Sequence, residues 1–70
     1  MRRRVKRILA AIGGLRRYPY AGRVGDEPGT RELVVEAHVA VYELRPDTGD
    51  SATAGDVYVL RVFGPGQDRA

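Results

Sequence analysis

Apolar or β-branched residues stand at near-alternate positions from Gly29 to Ala37 (GTRELVVEA) and again from Val57 to Arg69 (VYVLRVFGPGQDR). Both stretches are bounded by Gly, Pro or Asp, and this period of two predicts half-buried β-strands. Between them, His38 to Arg45 (HVAVYELR) predicts a third strand. In the first strand, Leu33 and Val35 form the inward face, and Glu32 and Glu36 form a solvated one. In the second, Val39 and Val41 on one side and Ala40, Tyr42 and Leu44 on the other are all apolar, so periodicity does not choose the buried face. The last strand places Tyr58, Leu60 and Val62 on one side and Val57, Val59, Arg61 and Phe63 on the other.

A different period opens the chain. Val5, Ile8, Leu9, Ile12 and Leu15 recur at spacings of three and four, which predicts one amphipathic helix over residues 1–18. Gly13 and Gly14 weaken it by roughly 1 kcal/mol each relative to Ala. No Ser, Thr, Asp or Asn caps its start, and Pro19 ends it. Residues 19–29 then read as a connecting loop rich in Gly. Gly22 and Gly25 fit neither the nucleotide P-loop nor the dinucleotide fingerprint, and no strand precedes them. Pro46 to Gly55 (PDTGDSATAG) reads as a long polar hairpin loop. The expected architecture is one α+β domain of 70 residues: an N-terminal helix packed on a three-stranded antiparallel meander over residues 30–69.

Length makes that core small, and chains of this size usually need a disulfide, a metal or a partner. There is no cysteine, and His38 is the single histidine. No disulfide and no zinc set of three or four ligands is therefore expected, nor any cofactor, which leaves a partner chain. The longest apolar run, Ile8 to Ile12, is too short to span a membrane, and the chain is expected to be cytoplasmic.

Net charge is +3, but residues 1–25 hold eight of the twelve Lys and Arg and no acid, whereas residues 26–70 hold four basic and nine acidic residues. Arg2, Arg3, Lys6 and Arg7 are accordingly candidates for contact with nucleic-acid phosphates or an acidic partner; the alternative is the solvated face of a helix. Arg31 and Arg61 lie in otherwise apolar strands, where a cation either covers apolar surface with its stem or meets an acidic partner. Chemistry is harder to find. Hydroxyls at Thr30, Thr48, Ser51 and Thr53 have no evident base, and His38 has no evident orienting group.

Taken together, ILAAIGGLRRYPYAGRVG, GTRELVVEAHVAVYEL and VYVLRVFGPGQDR resemble the second helix and last three strands of the RelE/ParE family of toxins from bacterial type II toxin–antitoxin (plasmid stabilisation) systems. The resemblance runs over residues 8–69. It rests on Leu15, Pro19, Gly22 and Arg23, then Arg31, Glu32, Leu33 and Val34, then Val41 and Tyr42, then Leu60, Arg61, Val62, Gln67 and Asp68. It implies a chain lacking the family's first strand and first helix, with part of the helix stripe and one sheet edge left for self-association or an antitoxin segment.

RNA-cleaving members resemble one another in carrying Arg where this chain has Val39 and basic, His or Tyr groups near the C-terminus, where this chain has Gly64 in place of the usual His and no Tyr in its tail. Those departures favour the ParE-like branch, which inhibits DNA gyrase by binding. The expected function is thus a growth-inhibiting toxin neutralised by a cognate antitoxin, with no catalytic residues and with Arg31, Arg61, Gln67, Asp68 and Arg69 as contact candidates. The alternatives are a RelE-like ribosome-dependent mRNA interferase and an inactive remnant or antitoxin-binding decoy.

Overall fold

A computed structural model of the protein describes residues 2–66, with side chains from residue 6 onward. Helix α1 (Arg2–Gly13) passes into one 3-10 turn (Gly14–Arg16) and is followed by four strands, β1 (Arg23–Val24), β2 (Arg31–Val35), β3 (His38–Arg45) and β4 (Asp56–Phe63). The strands form one antiparallel sheet in the order β1-β2-β3-β4. The architecture is α+β, with four strands rather than the expected three. The additional strand comes from the segment expected to be loop: Arg23 pairs with Glu32 and Val24 with Arg31. A two-residue strand carries too little pattern for a period-two signal.

The α-helix is also shorter than residues 1–18. Gly13 and Gly14, poor helix formers, lie where it tightens into the 3-10 turn, well before Pro19. That turn buries Leu15 almost completely, while Ile8 and Ile12 are half-buried and Leu9 faces solvent. Among the described residues, no helix is long and apolar enough to cross a membrane.

The inward face of β3 is Ala40, Tyr42 and Leu44, all buried. Cross-strand partners share a face, and so Leu33 joins Ala40, and Val57 joins Leu44, in the layer under Leu15. Tyr42 is the largest fully buried side chain. Its hydroxyl donates to the Pro19 carbonyl at 2.7 Å and accepts the Gly22 N–H at 3.0 Å, which anchors the segment between helix and sheet to the core. Gly22 is required there, since a Cβ would lie 2.6 Å from that hydroxyl and 2.9 Å from the Glu32 carbonyl oxygen.

Two further details depart from the sequence pattern. Glu36 and Ala37 form a two-residue hairpin turn between β2 and β3, both at positive φ (47° and 68°), although neither is a residue that favours this geometry. In β4, Val41 pairs with Arg61 but Tyr42 pairs with Val59, so Leu60 is an extra, bulged residue. The bulge exchanges the faces of β4 at its midpoint. Val57, Val59 and Val62 lie on the helix side, and Tyr58, Arg61 and Phe63 on the other, which corrects the alternation expected from sequence.

Candidate functional site

Concavities open on both faces of the sheet. On the helix side, a groove of about 430 Å³ opens between the end of α1 and β4, lined by Ile12, Gly13, Arg16, Val57 and Val59 and edged by Asp56. It exists because α1 packs toward β2 and the 3-10 turn toward β4, covering Val57 in part and leaving Val59 and Val62 exposed. The groove has Ile12, Val57 and Val59 as its apolar lining and Arg16, Asp56 and Tyr58 as its polar side chains.

On the opposite face a cleft of about 40 Å³ is lined by Glu32, Val41, Arg61 and Phe63 from the sheet and by Asp26, Glu27 and Thr30 from the β1–β2 connection. It holds a few waters at most, since one water needs on the order of 10–15 Å³ measured this way. Arg23, Glu32, Val41 and Arg61 are successive cross-strand partners and form a row across all four strands. Arg23 Nε and Nη2 donate to Glu32 Oε1 at 3.2 and 3.1 Å. Glu32 is buried, contrary to the solvated position expected for it, because β1 brings Arg23 over that face.

The candidate residues fall in separate places. Arg31 and Arg61 are on opposite faces of the sheet. Arg31 is half-buried, its Nη1 donating to the Gly22 carbonyl at 2.5 Å and its guanidinium lying 4.8 Å from the centre of the Tyr20 ring. It therefore fastens the pre-sheet segment, and its cation is already engaged within the fold. Arg61 is exposed beside the acidic cleft. Lys6 and Arg7 are exposed on α1, and Arg7 pairs with Glu36 at 2.9 Å. The side chains of Arg2 and Arg3, and all of Gln67, Asp68 and Arg69, lie outside the described residues.

His38 begins β3 with its Nδ1 3.1 Å from the Glu36 carbonyl oxygen, a contact inside the hairpin. Tyr20 packs on the core and its hydroxyl bridges the Asp47 carboxylate at 2.5 Å and the Gly49 N–H at 2.6 Å, whereas Tyr18 faces solvent. Burial pushes the Tyr42 phenol above its ordinary range, against the smaller opposing effects of the Gly22 hydrogen bond and the Arg31 charge. The phenol therefore serves as a neutral hydrogen-bonding anchor. Among the described residues no group of three or more His, Cys, Asp or Glu is placed to hold a metal.

Of the groove's two walls, Ile12 belongs to the helix stripe expected to be left partly uncovered, whereas the β4 wall carries no signal in the sequence because its valines read as those of an ordinary half-buried strand. Comparison with protein-family models, with curated proteins and with solved structures gives no match.

Proposed function

We propose that this chain is the toxin component of a type II toxin–antitoxin pair, resembling the ParE-like branch. In this reading it acts by binding an essential target such as DNA gyrase and is neutralised by a cognate antitoxin. The observation that carries the reading toward binding is the open apolar groove between α1 and β4, whose volume of about 430 Å³ falls in the range of recognition sites. An amphipathic segment of an antitoxin laid into it would cover Val57, Val59 and the half-buried side of Ile12. One helix followed by an antiparallel sheet supports the reading in outline, the sheet having four strands where the resemblance implies three. The cleft beside Arg61, at about 40 Å³, is too small to enclose a nucleotide.

Induced expression of the 70-residue chain in a bacterial host, with soluble protein measured in the same cultures, tests the proposal. Growth arrest, with loss of gyrase supercoiling by the purified chain, is the expected result. Normal growth at abundant soluble protein overturns the toxin reading and leaves a remnant or a decoy. Arrest with cleavage of ribosome-bound message, abolished by changing His38 or Arg61, replaces gyrase inhibition by the mRNA-interferase alternative.

A further inference from the structure

β4 is an edge strand eight residues long, with no strand on its outer side among the described residues. Natural edges are usually short, charged or covered. This one spans about 27 Å at the rise of an antiparallel strand and leaves Val59, Leu60 and Val62 40%, 42% and 45% exposed. A bulge ordinarily discourages edge pairing. Here the extra residue, Leu60, sits at the middle of the strand, and that position has a particular consequence for self-pairing.

We propose that β4 pairs antiparallel with β4 of a second copy of this chain, about a two-fold axis perpendicular to the sheet between Val59 and Leu60. In this register Asp56 faces Phe63, Val57 faces Val62 and Tyr58 faces Arg61. A regular strand could not pair in this way, because residues five apart would point to opposite faces. The bulge reverses the alternation halfway. Val57 and Val62 both lie on the helix side, and Tyr58, Arg61, Asp56 and Phe63 all lie on the other. Every pair outside the central two residues is thus face-matched, and all eight residues of each strand take part. Shifting the register by one residue breaks the match, opposing Tyr58 to Val62 across the two faces.

Charge supports the same register. Arg61 of the second copy lies directly across from Tyr58 and diagonally across from Asp56, within reach of a long side chain. Both partners are exposed and available. The ring of Tyr58 already carries Arg45 at 4.1 Å, so a second guanidinium would complete a row of cation–ring contacts across the joined sheets. The two-fold makes each of these contacts twice. It also keeps both helices on one face of a continuous eight-stranded sheet, where the two grooves adjoin and bury part of the exposed valines. A second copy is also a means by which so small a core gains stability.

Sedimentation of the 70-residue chain from low micromolar concentration to about 0.5 mM, where weak interfaces form, is the primary test. A reversible monomer–dimer equilibrium is expected, and a monomer throughout overturns the proposal. The native chain has no cysteine, which allows the register to be read directly. The double variant Val57→Cys with Val62→Cys should give a covalent dimer on mild oxidation, and Tyr58→Cys with Val62→Cys should not. The opposite outcome overturns the register.

Asp56→Arg should weaken dimerisation by about tenfold, from two lost pairs and new repulsion, and adding Arg61→Asp should restore it. Failure of that rescue, with circular dichroism showing both variants folded, removes the charge argument. The dimer stands or falls independently of toxicity, since the growth assay can succeed or fail in either oligomeric state.

Discussion

Replacing Tyr42 by phenylalanine deletes one oxygen and leaves the ring in place, yet it removes the hydrogen-bond partner of two backbone groups. Pro19 and Gly22 are both buried, and the hydroxyl serves the carbonyl of one and the N–H of the other. An unsatisfied buried polar group costs about 1–3 kcal/mol, so the variant should lose about 2–4 kcal/mol. A chain of this length has a total stability of roughly 4–10 kcal/mol, and the substitution removes a large part of it. Urea denaturation measures the loss as a fall in midpoint at unchanged slope.

Tyr20→Phe is the internal control. Its hydroxyl bonds are exposed, and its cost should stay near 1 kcal/mol or below. The pH dependence supplies a second readout. Burial raises the Tyr42 pKa in the folded state, so its contribution is fully present below the unfolded value near 10 and is lost as pH rises through the folded value. Wild type should therefore lose stability from about pH 10 upward by an amount that Tyr42→Phe does not share. A Tyr42→Phe loss no larger than that of Tyr20→Phe would refute the anchoring role.

The hairpin turn gives a prediction of opposite sign. Ala37 sits at φ 68°, where an L side chain costs about 1–2 kcal/mol, so Ala37→Gly should raise the denaturation midpoint by the equivalent of roughly 0.5–1.5 kcal/mol after the entropy of Gly is deducted. An unchanged or lower midpoint would show that the turn is not strained. The two Arg–Glu pairs between separate elements provide a comparison. Arg7→Ala removes a partner of the exposed Glu36 and should cost less than about 1 kcal/mol. Arg23→Ala removes a partner of the buried Glu32 carboxylate and should cost about 1–3 kcal/mol. Equal losses in paired thermal melts would contradict the burial-based ordering.

What pattern reading could recover follows from where the chain buries side chains at regular intervals. The stripe ending at Leu15 and the strands around Leu33, Tyr42 and Val57 repeat over enough residues for a period to emerge, and these elements are present. β1 could not be read because it is held by two cross-strand pairs and by Arg23 reaching Glu32, interactions specified by tertiary proximity rather than by local period. Glu32 was misplaced for the same reason. A carboxylate on the polar side of a strand is solvated unless a distant element brings a cation over it.

The Leu60 bulge is the most consequential omission, since an unbroken alternation of apolar residues in VYVLRVF contains no mark of an inserted residue, and the face on which Arg61 lies depends on it. Read without the bulge, Arg61 joins Val57 and Val59 and belongs to the helix-side groove. With it, Arg61 belongs to the opposite face beside Tyr58 and Phe63, out of reach of a segment lying in that groove. A partner docked on the helix side and a second copy paired along β4 would therefore share Val57 but not Arg61. Val57→Arg is expected to weaken both, through the groove wall and through the Val57–Val62 pair, and Arg61→Asp only the second. Loss of partner binding in Arg61→Asp would contradict this separation of surfaces.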